Sequence, residues 1–141
     1  MIRLFLDINV VLDVLADREP WVQDSAAVLS LLDQAEVEGV IAAHSVTTLY
    51  YLASKDLGHK PAVAALIDLL EHLSVTPLDE DIVLRALSLG WDDVEDAVQA
   101  VSAQRASADY IVTRNPSDFE AASVPVVTPN QLLATLASST D

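Results

Sequence analysis

The sequence predicts an α/β fold in which a parallel sheet is covered by helices on both faces. Five short apolar segments, each suited to a strand, alternate with longer segments whose apolar residues recur at helical spacing. Such alternation is typical of β-α-β units, whose strands run parallel. The chain of 141 residues is expected to form one domain, 1–141, with a sizeable core.

The first strand candidate, residues 2–6, is rich in apolar residues and precedes a helix that begins near Val10. Residues 21–38 carry apolar side chains at helical spacing, and Gly39 is expected to end that helix. The apolar run at 40–43 then predicts a second strand.

The next helix is expected to begin at Ser45 or Thr47 and to stop at Gly58. Pro61 fits the first turn of a helix over 62–73, because proline lacks the N–H that this turn leaves unpaired. The remaining central elements are, in order, a weak strand at 74–76, helices at 79–89 and 93–106, and a strand at 109–113.

The fifth strand candidate, residues 124–127, contains Pro125 and is therefore expected at an edge of the sheet, because proline cannot donate to a neighbouring strand. Thr128, Pro129 and Gln131 then match a helix start, with threonine as the cap and glutamine three residues later.

Composition excludes several classes of function. Seven Lys and Arg oppose 22 Asp and Glu, giving a net charge of −15, so a protein that binds nucleic acid through overall charge is not expected. The chain has no cysteine, which excludes disulfides and thiolate metal sites and fits a cytoplasmic location. No apolar run is long enough for a membrane span, and Asp7 interrupts the first run too early for a signal peptide.

Acidic and amide residues gather at three places that the predicted fold would bring together. In open parallel sheets, sites form outside the carboxyl ends of the strands, near the point where strand order reverses. Two pairs follow strand ends and one pair lies on the helix before the fourth strand: Asp7 with Asn9, Asn115 with Asp118, and Asp93 with Asp96.

Asp96 lies in line with Ala100 and Ala103, so it shares the helix face that can pack closely on a sheet. A carboxylate there would be partly buried, at a cost that a metal ion would remove. Asp93 lies one turn earlier and could equally stabilise the helix dipole.

Several of these residues also have a purely structural interpretation. Asp7 or Asn9 could cap the helix that follows the first strand. Asn115, placed before a proline, could cap another helix, whose dipole Asp118 would then favour. Capping and metal binding are compatible, because a cap fixes the direction of a carboxylate.

Three segments, "FLDINVVLDVL", "DDVEDAVQAVSAQRASADYIVTRNPSDF" and "VVTP", together resemble the PIN domain family of small metal-dependent ribonucleases. The resemblance extends from near the first residue to about Gln131 and is strongest to the bacterial branch that includes toxins of toxin–antitoxin pairs. It implies a three-layer α/β/α sandwich with a parallel, roughly five-stranded sheet.

By this resemblance, the acidic ligands for Mg²⁺ or Mn²⁺ are Asp7, Asp96 and Asp118, with Asp93 as an additional ligand. The supporting polar positions are Asn9, Thr113, Arg114 and Asn115, of which Thr113 and Arg114 would contact phosphate. One position departs from the family, because Thr48 stands where many members carry a glutamate. This departure puts full activity and the binding of two metal ions in question.

The resemblance implies a metal-dependent endoribonuclease that hydrolyses single-stranded RNA and has Asp7, Asp96 and Asp118 as its catalytic residues. It also implies a cytoplasmic homodimer and a small antitoxin partner with a basic segment. The alternative is a catalytically weak or inactive PIN fold that serves as a protein-binding module.

Overall fold

The computed structural model describes residues 1–139, which form a five-stranded parallel sheet flanked by helices. The strands are β1 (Ile2–Leu6), β2 (Val37–Ala42), β3 (Leu73–Thr76), β4 (Tyr110–Val112) and β5 (Val126–Val127). The helices are α1 (Ile8–Leu15), α2 (Val22–Leu31), α3 (Ala43–Leu57), α4 (His59–Leu70), α5 (Glu80–Ser88), α6 (Val94–Arg105) and α7 (Pro129–Ser139).

The strands lie in the order β3-β2-β1-β4-β5. The chain therefore builds outward from β1 to β3 on one side and then crosses to β4 and β5 on the other. The reversal of strand order falls between β1 and β4, whose carboxyl ends pair at Leu6 and Val112. Parallel sheets place their sites at this reversal.

Side chains of β1 alternate between two cores, which gives the predicted three-layer sandwich. Leu4 and Leu6 lie in a large cluster with residues of α1, α2, α3, α4 and α7. Phe5 points to the opposite face and packs with Ala100 and Ala103 of α6. The alanines allow α6 to approach the sheet closely, as the sequence predicted.

The predicted boundary at Gly39 is wrong. α2 ends at Leu31, and Gly39 lies inside β2, paired with Leu4 and Leu73. A Cβ added at Gly39 would lie 2.6 Å from Leu73 Cδ2 and 2.7 Å from Leu32 Cδ2. Glycine is present here because neighbouring side chains approach the strand closely, and not because a helix ends there.

Other boundaries move by a few residues. α3 begins at Ala43 instead of Ser45 or Thr47, and it ends at Gly58, where φ is +85°. α4 ends at Leu70, three residues before the predicted end. The helix expected after Asn115 is only a short 3₁₀ turn, Pro116–Phe119.

The capping pattern at α7 is confirmed in full. The Gln131 backbone N–H donates to Thr128 Oγ1 at 3.1 Å, and the Thr128 N–H donates to Gln131 Oε1 at 2.9 Å. This reciprocal pair satisfies two donors that a helix start leaves unpaired. β5 is an edge strand, as Pro125 indicated.

Within residues 1–139, no helix combines the length and the apolar character that crossing a membrane requires.

Candidate metal centre

The acidic residues meet at the carboxyl ends of β1 and β4. Asp7 follows β1 and Thr113 follows β4, and the Asp7 N–H donates to the Val112 carbonyl at 3.0 Å. These two side chains therefore leave the sheet side by side at the reversal of strand order.

Asp7 is a buried carboxylate with two side-chain donors. Its side chain is 3% exposed. Thr113 Oγ1 donates to Oδ2 at 2.9 Å, and Gln99 Nε2 donates to Oδ1 at 3.1 Å. Burial raises the pKa of Asp7 above its ordinary value, and these two hydrogen bonds oppose the rise.

Although Asp7 occupies the cap position of α1, its side chain makes no capping hydrogen bond. The capping interpretation of Asp7 is therefore wrong. Its carboxylate accepts instead from Thr113, which follows the adjacent strand β4, and from Gln99 of α6.

Gln99 links the two central carboxylates, and the sequence analysis missed it. Its amide Nε2 lies 3.1 Å from Asp7 Oδ1 and 3.5 Å from Asp96 Oδ1. Its Oε1 accepts from the Ile8 N–H at 3.4 Å, which fixes the orientation of the amide. The signal was available, because Gln99 follows Asp96 by three residues and so lies on the same face of α6.

Asp96 is a half-buried carboxylate that lies among other acids. Its pKa is raised from 3.8 to about 7, first by partial burial and then by the negative charges of neighbouring carboxylates, among them Asp93, Asp7 and Asp118. Asp93 caps α6 because its Oδ1 accepts from the Asp96 N–H at 3.1 Å, which gives it a structural role at the start of this helix.

Asp118 completes the acidic side of the site from the 3₁₀ turn. It is exposed, whereas the adjacent Phe119 is buried and makes an edge-to-face contact with Trp91. An open cavity of about 360 Å³ extends outward from these acids. Its lining includes Trp91, Asp92, Asp93, Asp96, Ser117 and Asp118.

The supporting residues divide into two groups. The Asn115 backbone N–H donates to Thr113 Oγ1 at 3.2 Å, and its exposed side chain does not cap the turn that follows. By contrast, the Thr48 hydroxyl donates to the His44 carbonyl in its own helix. Neither Thr48 nor the half-buried Asn9 hydrogen-bonds to the acidic residues within the described chain.

In residues 1–139, no three His, Cys, Asp or Glu side chains are grouped tightly enough to hold a metal ion without rearrangement. Asp7 and Asp96 each face the Gln99 amide, and Asp118 acts on both through its charge. The oxygen donors are of the hard kind that Mg²⁺ and Mn²⁺ prefer.

We expect the stability of the protein in chelator to fall as pH rises from about 4 to about 7. Because the pKa of Asp96 is raised from 3.8 to about 7 in the folded state, the folded chain binds more protons than the unfolded chain across this interval. Stability is thus greatest below the unfolded pKa and is lost as Asp96 ionises. Urea unfolding across this pH range measures the slope.

Asp96→Asn should flatten that slope, whereas Asp56→Asn, which changes an exposed carboxylate on α3, should keep it. Equal slopes in the two variants would mean that ionisation of Asp96 does not cause the loss of stability.

Comparison with known proteins agrees with the fold. A sequence profile of the PIN domain matches residues 3–117. The chain therefore belongs to the PIN domain family, whose members are generally nucleases. No protein with a curated description is significantly similar to it in sequence.

Solved structures share the fold at low identity. VapBC-1 from nontypeable Haemophilus influenzae matches with a TM-score of 0.72 and 17% identity over 92% of this chain and 99% of that one. A toxin–antitoxin complex from Klebsiella pneumoniae matches with a TM-score of 0.66 and 22% identity, over 89% of this chain and 96% of that one. VapC20 from Mycobacterium tuberculosis, a toxin that cleaves the sarcin–ricin loop, matches with a TM-score of 0.68 and 14% identity. The match covers 84% of this chain and 94% of that one.

Proposed function

We propose that the protein is a divalent-metal-dependent endoribonuclease that hydrolyses single-stranded RNA. The observation that carries the proposal is the crowding of Asp96. Its pKa is raised to about 7 by burial and by four neighbouring carboxylates near the reversal of strand order. A bound cation would relieve this repulsion, so the arrangement favours a metal centre over a purely structural cluster.

Asp7 and Asp96 would hold the first ion, and Asp118, helped by Asp93, would complete the site. When bound, Mg²⁺ or Mn²⁺ would activate a water molecule and offset the charge on the phosphate. Thr113 and Gln99 fix the direction of the Asp7 carboxylate through their hydrogen bonds. These positioning residues would therefore set the geometry of the site before substrate arrives.

The acidic cavity next to Asp96 and Asp118 offers access for an extended strand. The chain carries a net charge of −15, so RNA would approach only where a cation offsets the carboxylates. Metal is thus expected to strengthen the binding of RNA and to be required for its cleavage.

The similar structures named as a toxin–antitoxin complex and as a toxin that cleaves the sarcin–ricin loop support a similar role here. The protein would act as the toxin on RNA in the cytoplasm, as a homodimer, and a small antitoxin with a basic segment would complement its negative charge.

A protein-binding module without nuclease activity is the second candidate. It is favoured by the absence of a ready three-residue metal group in residues 1–139 and by Thr48, which bonds within its own helix. The two candidates differ in one observable: the nuclease would cleave RNA when Mn²⁺ is supplied, and the binding module would not.

Purified protein is expected to cleave single-stranded RNA in Mg²⁺ or Mn²⁺ and to stop when EDTA is added. The measurement is product length on a sequencing gel, with calorimetric titration of Mn²⁺ in parallel. If neither Mn²⁺ binding nor cleavage occurs on a varied pool of RNA sequences, the nuclease proposal fails and the binding module is favoured.

A further inference from the structure

A second cavity, of about 370 Å³, lies beside the acidic site. The backbone connects the two directly, because Thr113 donates to Asp7 and the next residue, Arg114, lines this cavity. The other lining residues include Trp21, Asp24, Ser25, Thr128 and Asn130.

Trp21 forms an aromatic platform at this cavity. The Arg114 guanidinium lies 3.8 Å from the centroid of the Trp21 ring. The Trp21 side chain nevertheless remains 44% exposed. The indole is thus held by a cation without being buried, which leaves surface available for stacking.

Arg114 is itself held in place by a buried carboxylate. Its Nη1 lies 3.5 Å from Oδ1 of Asp13, which is fully buried and also accepts from Ser25 Oγ at 3.4 Å. Arg114 Nε and Nη1 have no hydrogen-bond partner within residues 1–139. The Arg114 side chain nevertheless remains 16% exposed, so a ligand in the cavity can still approach this cation.

The charge around this cavity differs from that of the rest of the molecule. Both Arg114 and Arg18 act on Asp13 and oppose the rise in its pKa that burial causes. One basic residue, Arg114, and one acid, Asp24, line this cavity, whereas five acids and no basic residue line the acidic cavity. An anionic ligand that reached the acidic site would find its favourable charge on this side.

We propose that this cavity binds one nucleotide of the RNA, with its base stacked on Trp21 and its phosphate beside Arg114. The proposal deepens the proposed function and rests on it for the identity of the polymer. Aromatic side chains paired with cations are a general means of holding single-stranded nucleic acid. The Trp21 platform would place the strand across the sheet edge and toward Asp7.

The test is anisotropy of a short fluorescein-labelled oligoadenylate, measured at low salt in the Asp96→Asn background so that the RNA stays intact. Trp21→Ala should weaken binding about ten-fold or more, the effect of losing one stacking contact. Trp21→Phe keeps a stacking face and should retain most of the affinity.

Tyr51→Ala is the matched control, because Tyr51 is an exposed aromatic paired with Lys55 at 4.3 Å but lies on α3, away from this cavity. Its affinity should equal that of the background. An abasic oligoribonucleotide of the same length provides a test that does not depend on the folding of a variant. The Asp96→Asn protein should bind the abasic oligoribonucleotide more weakly than oligoadenylate. With Trp21→Ala added, the affinities for these two oligonucleotides should be equal.

If Trp21→Ala binds oligoadenylate as tightly as Tyr51→Ala does, the subsite is overturned even if the wild type cleaves RNA. If binding depends on Trp21 and the wild type never cleaves RNA, the subsite is supported and the nuclease proposal fails. If neither the Asp96→Asn protein nor the wild type binds RNA, the subsite is overturned as well.

Discussion

Asp96→Asn is expected to abolish Mn²⁺ binding and to lower RNA cleavage by more than about 100-fold, because losing a ligand should exceed the effect of losing a residue that only orients one. The asparagine keeps the size of the side chain and removes the charge that the metal would neutralise. Calorimetric titration of Mn²⁺ and initial cleavage rates measure the two effects.

Asp7→Asn should behave in the same way, since Asp7 lies across the Gln99 amide from Asp96. Asp56→Asn removes one negative charge from the exposed surface of α3 and should leave both measurements unchanged. If Asp96→Asn bound Mn²⁺ with the affinity of the wild type, the ion would have to lie at another place in the protein.

The metal affinity itself should depend on pH. Since the pKa of Asp96 is raised to about 7, a proton competes with the cation below that pH, and binding of the metal should release it. The fold thus stores electrostatic repulsion at the position where the proposed ligand would relieve it.

The fold was predictable because local signals and global topology agree. Alternating apolar segments indicated a parallel sheet, Pro125 indicated an edge, and the Thr128–Gln131 cap is present. Gly39 misled because glycine has two roles that a single sequence does not separate, ending a helix or admitting close neighbours in a strand.

The acidic side chains of the site were predictable to the extent that each follows a strand or shares a helix face. The hydrogen bonds that support them were not, because Gln99 and Thr113 reach Asp7 from about a hundred positions away in the sequence. Likewise, the carboxylate of Asp7 looked like a cap, and only the tertiary structure shows that Thr113 and Gln99 take its oxygens.

The buried amide of Gln99 leads to the second large effect. Gln99 is fully buried and donates toward both Asp7 and Asp96. Gln99→Glu replaces this donor with a third carboxyl group of nearly the same shape. At pH 8 the ionised glutamate would be a buried charge beside two others, so we expect a loss of about 3–5 kcal/mol in the free energy of unfolding.

At pH 5 the loss should be much smaller, because a protonated glutamate can still donate a hydrogen bond to a neighbouring carboxylate. Saturating Mn²⁺ at pH 8 should restore part of the stability, since a ligand that binds only the folded state stabilises it. Gln104→Glu makes the same chemical change at an exposed position of α6 and should cost little at either pH. If the two variants were equally stable at both pH values, the Gln99 amide would not separate the two carboxylates, and the centre would have to be built from other residues.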